Sequence, residues 1–510
     1  MSIANWIEKW AAHCPEKIAI QFEDEKICYR DFDQKIKDTT VLLQQALGIK
    51  KGDRVAYLGQ NHPRMFYLFF ACARLGAVFV PLNWRLAPSE HLHMLRNCAA
   101  SALFVSVDYQ DQCAPLLEKI PHCQFITDGQ QDSPGWQKLS QISKASAQGN
   151  TLNPAPPLTL PEIDVNTPVL IIFTSGTTGF PKGALLTQAA LESNVSNSIH
   201  MHDMVFDDII LTILPMFHVG GLNIQSTPAF SVGATVILHR AFDVDRTIAA
   251  LNHDRPTLTI ILPAHMIPLQ NNEKWATVDL SSLRSVTTGS CAIPTDVTAF
   301  WHDRNIPLLQ VYGSSETCPI AIHQRAENAF DTAGSIGFPA KNCTIRIMDH
   351  EGQDCPDDQP GEILIQGPNI MVGYWQDKPA TDKALKEGWY HTGDIGYRDK
   401  HGCYHFVDRK KDLIISGGEN IYPAELETVL GSHADIQEIA VVGRPDDRWG
   451  EVVVAFIVLH AGSSLNSHDI LEWLGDRLGR YKHPRHFHFI DQMPRNGMGK
   501  IIKEDLKNMA

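Results

Sequence analysis

An α/β fold is what this sequence predicts: a large N-terminal region with two α/β subdomains and a β-rich subdomain, then a small α+β C-terminal domain. Three observations carry the prediction. Helical and strand signals alternate through the first 150 residues and again from Val169 to about Ala340. From Cys343 to Val407 the elements become shorter and turn-rich, and after Asp412 a new compact pattern begins. At 510 residues the chain is too long for one hydrophobic core, and its 44% hydrophobic content suits a folded chain.

The elements follow in chain order. Residues 3–11 form an amphipathic helix rather than a signal peptide, and the stripe of Ile3, Trp6, Ile7 and Trp10 packs on the body. Strands are expected at 55–58, 78–80 and 103–107, with helices between them. Residues 65–84 are the most apolar long run. A bilayer span needs about 20 largely apolar residues, and Arg74 would be buried in lipid at high cost. The run therefore reads as a core helix followed by a strand at 77–80. No integral membrane segment is expected, and peripheral contact through a surface patch stays open. Residues 153–168 are proline-rich and read as a surface connection. Residues 169–173, Val-Leu-Ile-Ile-Phe, read as a buried strand, and further strands are expected at 210–214, 234–238 and 257–262. In the last hundred residues, 423–430 is helical with Pro423 in its first turn, 436–442 and 452–458 are strands, and 470–478 is helical.

Directly after the 169–173 strand come Thr174, Ser175, Gly176, Thr177, Thr178, Gly179, Phe180, Pro181, Lys182 and Gly183. Hydroxyls, glycines and one lysine at a strand end are the chemistry of a polyphosphate cradle: mobile backbone N–H donors, side-chain donors and one cation. The order is not that of a Walker A loop. Four further segments recur behind it. They are 312–317, Tyr-Gly-Ser-Ser-Glu-Thr; 390–394, Tyr-His-Thr-Gly-Asp; 408–412, Asp-Arg-Lys-Lys-Asp; and 494–500, Pro-Arg-Asn-Gly-Met-Gly-Lys.

This ordered set resembles the adenylate-forming superfamily, which includes acyl-CoA synthetases, coumarate–CoA ligases, luciferases and peptide-synthetase adenylation domains. The resemblance covers nearly the whole chain. It implies ATP, Mg2+ and coenzyme A as co-substrate, and a division into residues 1–410, binding nucleotide and acyl group, and residues 411–510, a mobile domain carrying a catalytic lysine. It implies that the 174–182 loop, with Thr174 and Lys182 in catalytic roles, holds the β and γ phosphates. Tyr312 and Gly313 lie beside adenine, and Ser315 stands where relatives usually have Thr. Glu316 is the Mg2+ ligand; a hard cation needs only one carboxylate besides phosphate oxygens and waters. Asp394 accepts from the ribose hydroxyls, Arg409 donates to the ribose or phosphate side, and Lys500 reaches the carboxylate and α-phosphate.

The same resemblance assigns residues 214–222 to the wall of the carboxylate pocket. There His218 is a general base, a gate or pocket wall, or a core histidine. Gly289, Ser290 and Cys291 hold the place of a glycine-rich strand end between acyl group and adenine. Lys411 is the hinge, and Gly417 and Gly418 leave room for a pantetheine arm once the small domain has turned. Residues 215–218 hold no carboxylate to pair with an ammonium, so an apolar acid is expected rather than an amino acid. The expected substrate is a medium- or long-chain fatty acid; the alternatives are an aryl or arylpropenoic acid, or transfer to a separate carrier protein.

The formal charge of −14 and pI near 5.9 argue against non-specific binding to nucleic acid or anionic membrane. Eleven cysteines lack C-x-x-C spacing, which favours reduced thiols in the cytoplasm. A homodimer stays open.

Overall fold

The computed structural model describes all residues except 1–2, 132, 149–159, 175–180, 290–292, 294, 417–418, 447–448, 476 and 497–499. Two compact units emerge: Met1–Thr344 with Ile365–Tyr390, and Ile345–Leu364 with His391–Ala510.

The first unit is built on two large sheets. One runs in the order Gly373–Tyr374, Lys182–Thr187, Pro168–Thr174, Val78–Leu82, Arg54–Leu58, Ala102–Val105, Gln124–Thr127, Trp136–Lys138. The other runs Phe338–Pro339, Ile322–His323, Leu308–Tyr312, Ser285–Gly289, Leu258–Ile260, Ile209–Thr212, Thr235–Leu238, Ile18–Phe22, Glu25–Cys28. Their centres are parallel and some outer pairs are antiparallel. Chain order does not map simply onto the sheets. The strand before the phosphate-type loop joins the N-terminal strands, and the hairpin of Ile18–Phe22 with Glu25–Cys28 joins the second series. Pairing partners are chosen by which apolar faces meet, a long-range outcome that local pattern does not encode.

The apolar run at 65–84 is a helix, Pro63–Leu75, then a strand, Val78–Leu82. Pro63 opens the helix, the His62 side chain accepts from the Arg64 N–H, and Gly76 ends it at φ 65°. Phe66, Phe69 and Phe70 are fully buried, each stabilising by roughly 1.5–3 kcal/mol. Arg74, which argued against a membrane span, pairs with buried Asp33 at 2.8 Å. Among the described residues no helix is long and apolar enough to cross a membrane. At the N-terminus Ile3, Trp6 and Ile7 are buried, and Trp10 Nε1 donates to the Ser231 carbonyl at 3.2 Å.

Several predicted ends move, each for a local reason. The strand expected at 103–107 stops at Val105, because the Val107 N–H donates to the Asp128 carboxylate at 2.7 Å. The strand expected at 210–214 stops at Thr212; beyond it, the Leu214 carbonyl is held by Asn61 Nδ2 at 2.9 Å. The strand expected at 257–262 is Leu258–Ile260, since Leu262 caps a helix that begins with Pro263. The helix expected at 470–478 is Ser467–Leu474, ending at Gly475. Residues 153–159 of the proline-rich connection lie outside the described residues, and 160–167 carry no helix or strand.

The second unit holds most of a small sheet of Thr344–Met348, Gly361–Gln366 and Trp389–Arg398, with Tyr404–Arg409 paired to Trp389–Arg398. Its other sheet runs Glu419–Ile421, Ile414–Ser416, Gly450–Leu459, Ile436–Asp446, and His486–Phe489 pairs with Gly450–Leu459. That central strand is apolar from Val452 onward because both its faces are covered there. Val453, Ala455 and Ile457 meet Leu426, Leu430, Ile470 and Leu474, while Val454, Phe456 and Val458 meet Met493 and Leu506.

Candidate active site

In the first unit, Thr174 and Lys182 are cross-strand partners that close the base of a hairpin. The Thr174 hydroxyl donates to the Lys182 carbonyl at 3.4 Å. The loop residues Ser175, Gly176, Thr177, Thr178 and Gly179 lie outside the described residues. Lys182 Nζ is 3.9 Å from Asp377 and 5.6 Å from the centroid of the Tyr374 ring. The Tyr374 hydroxyl in turn donates to Glu316 Oε1 at 2.7 Å. One ring thus stands between the loop's cation and a buried carboxylate. The sequence reading missed Tyr374 and Asp377, and nothing in their local pattern separates them from ordinary turn residues. Burial first, and the Glu316 charge second, push the Tyr374 phenol well above its ordinary range, so it stays a hydrogen-bond donor.

Glu316 is set by the turn Ser315–Thr317, which follows the strand Leu308–Tyr312. Its carbonyl accepts from the Met371 N–H at 2.8 Å, and the Ser314 N–H donates to Thr317 Oγ1 at 2.8 Å. Gly313 is required by close approach: a Cβ there would stand 1.6 Å from the Pro319 carbonyl oxygen. Tyr312 and Ser315 are half-buried beside it. Among the described residues no group of three or more His, Cys, Asp or Glu could hold a metal ion. A single buried carboxylate fits Mg2+ that brings its remaining oxygen ligands as phosphate and water.

Residues 214–222 are shaped by Asn61, which also accepts from the Met216 N–H at 2.8 Å. Gly221 lets the turn close, since a Cβ would come 2.4 Å from the Pro215 oxygen. His218 is half-buried before the short helix Val219–Gly221, with its ring 4.5 Å from that of Phe217. Gly289 ends the strand Ser285–Gly289, buried, with Val311 O 2.5 Å from where its Cβ would be. Ser290 and Cys291 lie outside the described residues.

In the second unit, Asp394 and Arg409 are cross-strand partners, and Arg409 Nε lies 2.8 Å from Asp394 Oδ1. Gly393 adopts φ 69°, a backbone that favours glycine, and its N–H donates to Glu362 at 3.2 Å. Asp408 is buried; its oxygens accept from the Arg409 N–H at 2.7 Å and the Ala424 N–H at 2.8 Å, which ties the motif to the helix Pro423–Gly431. Desolvation raises its carboxyl above the usual range.

Lys411 is exposed in the turn between Arg409 and the strand Ile414–Ser416, where the Leu413 N–H bonds back to the Arg409 carbonyl at 3.1 Å. Ser416 pairs with Glu419 across a hairpin whose tip, Gly417 and Gly418, lies outside the described residues. Lys500 is exposed. Its N–H bonds to Asn496 Oδ1 at 3.1 Å, its carbonyl accepts from the Asn496 N–H at 2.9 Å, and Arg495 bridges to Ile501. An ion pair from Arg495 to Glu438 anchors the loop's base.

A strand end with a lysine and a nearby buried carboxylate in one unit, and a carboxylate–guanidinium pair with an exposed lysine in the other, are consistent with the resemblance to adenylate-forming enzymes. The chain belongs to the AMP-binding enzyme family: residues 7–375 match the AMP-binding enzyme model and residues 425–500 its C-terminal domain. It is 44% identical to an indoleacetate–CoA ligase from Aromatoleum aromaticum, over 100% of this chain and 98% of that one. It is 36% identical to a feruloyl-CoA synthase from Amycolatopsis, over 99% of this chain and 98% of that one. Among solved structures, the o-succinylbenzoate CoA synthetase of Bacillus subtilis with its acyl-adenylate superposes with a TM-score of 0.86 at 30% identity, covering 99% of this chain and 98% of that one. The same enzyme has been solved with ATP and magnesium ion.

This protein is an acid–thiol ligase of the AMP-forming acyl-CoA synthetase type, and ATP, Mg2+ and coenzyme A stand as expected. The expectation of a medium- or long-chain fatty acid is overturned: these relatives are ligases of indoleacetate, ferulate and succinylbenzoate. The reason is physical. Aliphatic and aryl acids both use apolar pockets and differ in shape, which the residue types at 214–222 do not report.

Proposed function

We propose that this protein activates an aryl-substituted carboxylic acid and transfers it to coenzyme A. One observation carries the reading: full-length identity of 44% with an indoleacetate–CoA ligase. In the first half-reaction a carboxylate oxygen attacks the α-phosphorus of ATP, the bond to the bridging oxygen breaks, and pyrophosphate leaves. The reactants repel, so donors aimed at the phosphate oxygens are the catalytic need. We assign Thr174, the loop that follows it and Lys182 to the β and γ phosphates. Glu316, oriented by Tyr374, holds Mg2+, which supplies charge neutralisation when bound. Tyr312, Gly313 and Ser315 take the adenine side, and Asp394 the ribose with Arg409 beside it. Lys500 follows the carboxylate and α-phosphate on its flexible stem.

In the second half-reaction the thiol sulfur attacks the acyl carbon, AMP leaves, and the thiol proton passes to solvent. Rotation at Lys411 presents Gly417 and Gly418 to the pantetheine arm. His218, Gly289, Ser290 and Cys291 border the acyl group. Free coenzyme A is the acceptor, in the cytoplasm. Support comes from the relatives' names for the acceptor and from the spacing of the cysteines for the compartment. Acid-dependent pyrophosphate release across indole-3-acetate, ferulate, benzoate and octanoate tests the acid, and coenzyme A against a carrier protein tests the acceptor. Aryl acids with coenzyme A give the highest rates; octanoate as best acid, or a carrier protein as sole acceptor, overturns the reading.

A further inference from the structure

Two residues before Gly289, at Thr287, a chain of buried hydrogen bonds leads to an acceptor that has no donor among the described residues. His202, 3% exposed, closes the helix Gln188–His202 with Nδ1 2.8 Å from the Ser198 carbonyl. A carbonyl only accepts, so Nδ1 carries the proton and Nε2 is left as an acceptor. Thr287 Oγ1, 2.9 Å from Nε2, therefore donates to it. Thr287 Oγ1 in turn accepts from Gln225 Nε2 at 3.2 Å, and that nitrogen also lies 3.5 Å from the Thr259 carbonyl. Two acceptors on its nitrogen side fix which way the Gln225 amide faces. Its oxygen is turned away from them and has no hydrogen-bond partner among the described residues, although Gln225 is 1% exposed. Buried amide oxygens are seldom left so. Burial holds His202 at about 4, which keeps the network neutral.

The position is on the acyl side. Gln225 lies on Leu222–Ser226, immediately after the pocket segment 214–222. Thr287 and Gly289 are two apart on one strand and so share a face. Gly289 is about 6.6 Å further toward the strand's C-terminal end, the reach of a bicyclic ring carrying an acetate. Next to Gln225, Ile224 packs with Leu214, Ile260, Leu309 and Ile320. One oriented acceptor among apolar side chains suits a flat ring that bears a donor.

We propose that Gln225 Oε1 is a specificity-determining acceptor for the acyl group, taking a hydrogen bond from a neutral ring N–H of an indole-type acid. The inference rests on the aryl-acid reading above and deepens it. Thr287 and His202 are positioning residues that act through Gln225.

The test uses the full-length protein with indole-3-acetate and with benzothiophene-3-acetate, which keeps the bicyclic shape and lacks the N–H. Wild type favours the indole acid by about tenfold or more in kcat/KM. In Gln225→Met the ratio falls to about threefold or less, chiefly through the indole acid, and Thr287→Val gives an intermediate ratio. A wild-type ratio near one overturns the proposal even if the Met variant fails to fold. An undiminished ratio in folded Gln225→Met overturns it as well. Activation of both acids without discrimination sinks this inference and leaves the aryl-acid reading standing; activation of octanoate and of neither aryl acid sinks both.

Discussion

Tyr374 sets how Glu316 is presented. Its hydroxyl, 2.7 Å from Oε1, fixes one carboxylate oxygen, and a hydrogen bond to a charged group contributes about 1.5–3 kcal/mol. Glu316→Gln removes the charge, so the Mg2+ concentration for half-maximal pyrophosphate release rises about tenfold or more. Tyr374→Phe removes only the orientation, so a smaller rise is expected, with circular dichroism unchanged. Equal Mg2+ dependence in wild type and Glu316→Gln takes the carboxylate out of the metal's shell. Lys500 is a separate case, since its side chain is exposed and its backbone N–H is held by Asn496 Oδ1. Lys500→Ala therefore keeps its fold and loses acid-dependent ATP–pyrophosphate exchange by about two orders of magnitude or more. Wild-type exchange in the folded variant removes it from the mechanism.

Elements whose sequence patterns were strong formed where expected, and the failures have causes. The helix Pro63–Leu75 carries its own start and stop in Pro63 and Gly76. The strand Gly450–Leu459 announces itself by the unbroken apolar run from Val452 to Leu459, covered on both faces. Strand ends were lost where a distant side chain captured a backbone group, as Asp128 does at Val107 and Asn61 at Leu214. The turn at Lys411 is exposed and short, bounded by the Arg409 carbonyl's bonds to the Asp412 and Leu413 N–H groups. Proline at 411 fixes φ and restricts residue 410 as well. Lys411→Pro is expected to slow thioester formation from preformed acyl-adenylate several times more than adenylate formation. Equal loss in both steps, read by single-turnover assays, counts against the hinge.

At the scale of the molecule, buried neutral histidines couple the fold to pH. Burial holds His62, His202 and His265 at about 4 and His323 at about 3, below the ordinary 6.5. The unfolded chain then binds more protons between those values. Stability from these groups is full above about pH 6.5 and is lost as pH falls toward 4, each histidine contributing on the order of a few kcal/mol. Melting temperatures should fall across that window, less steeply in His202→Gln; a flat profile contradicts the assignment. The adenylation motifs were legible because fixed chemistry needs fixed residues in order along the chain. Tyr374 and Gln225 were not, since only the fold brings them to Glu316 and Thr287. Acid identity was not legible either, because pocket shape arises from residues scattered across several elements. The central claim, an AMP-forming ligase for an aryl acid, is tested most directly by competition. Indole-3-acetate and octanoate are supplied at equal concentration with ATP, Mg2+ and limiting coenzyme A, and the two thioesters are weighed by mass spectrometry. The account predicts indoleacetyl-CoA in large excess, with AMP released in equal amount; a predominance of octanoyl-CoA would contradict it.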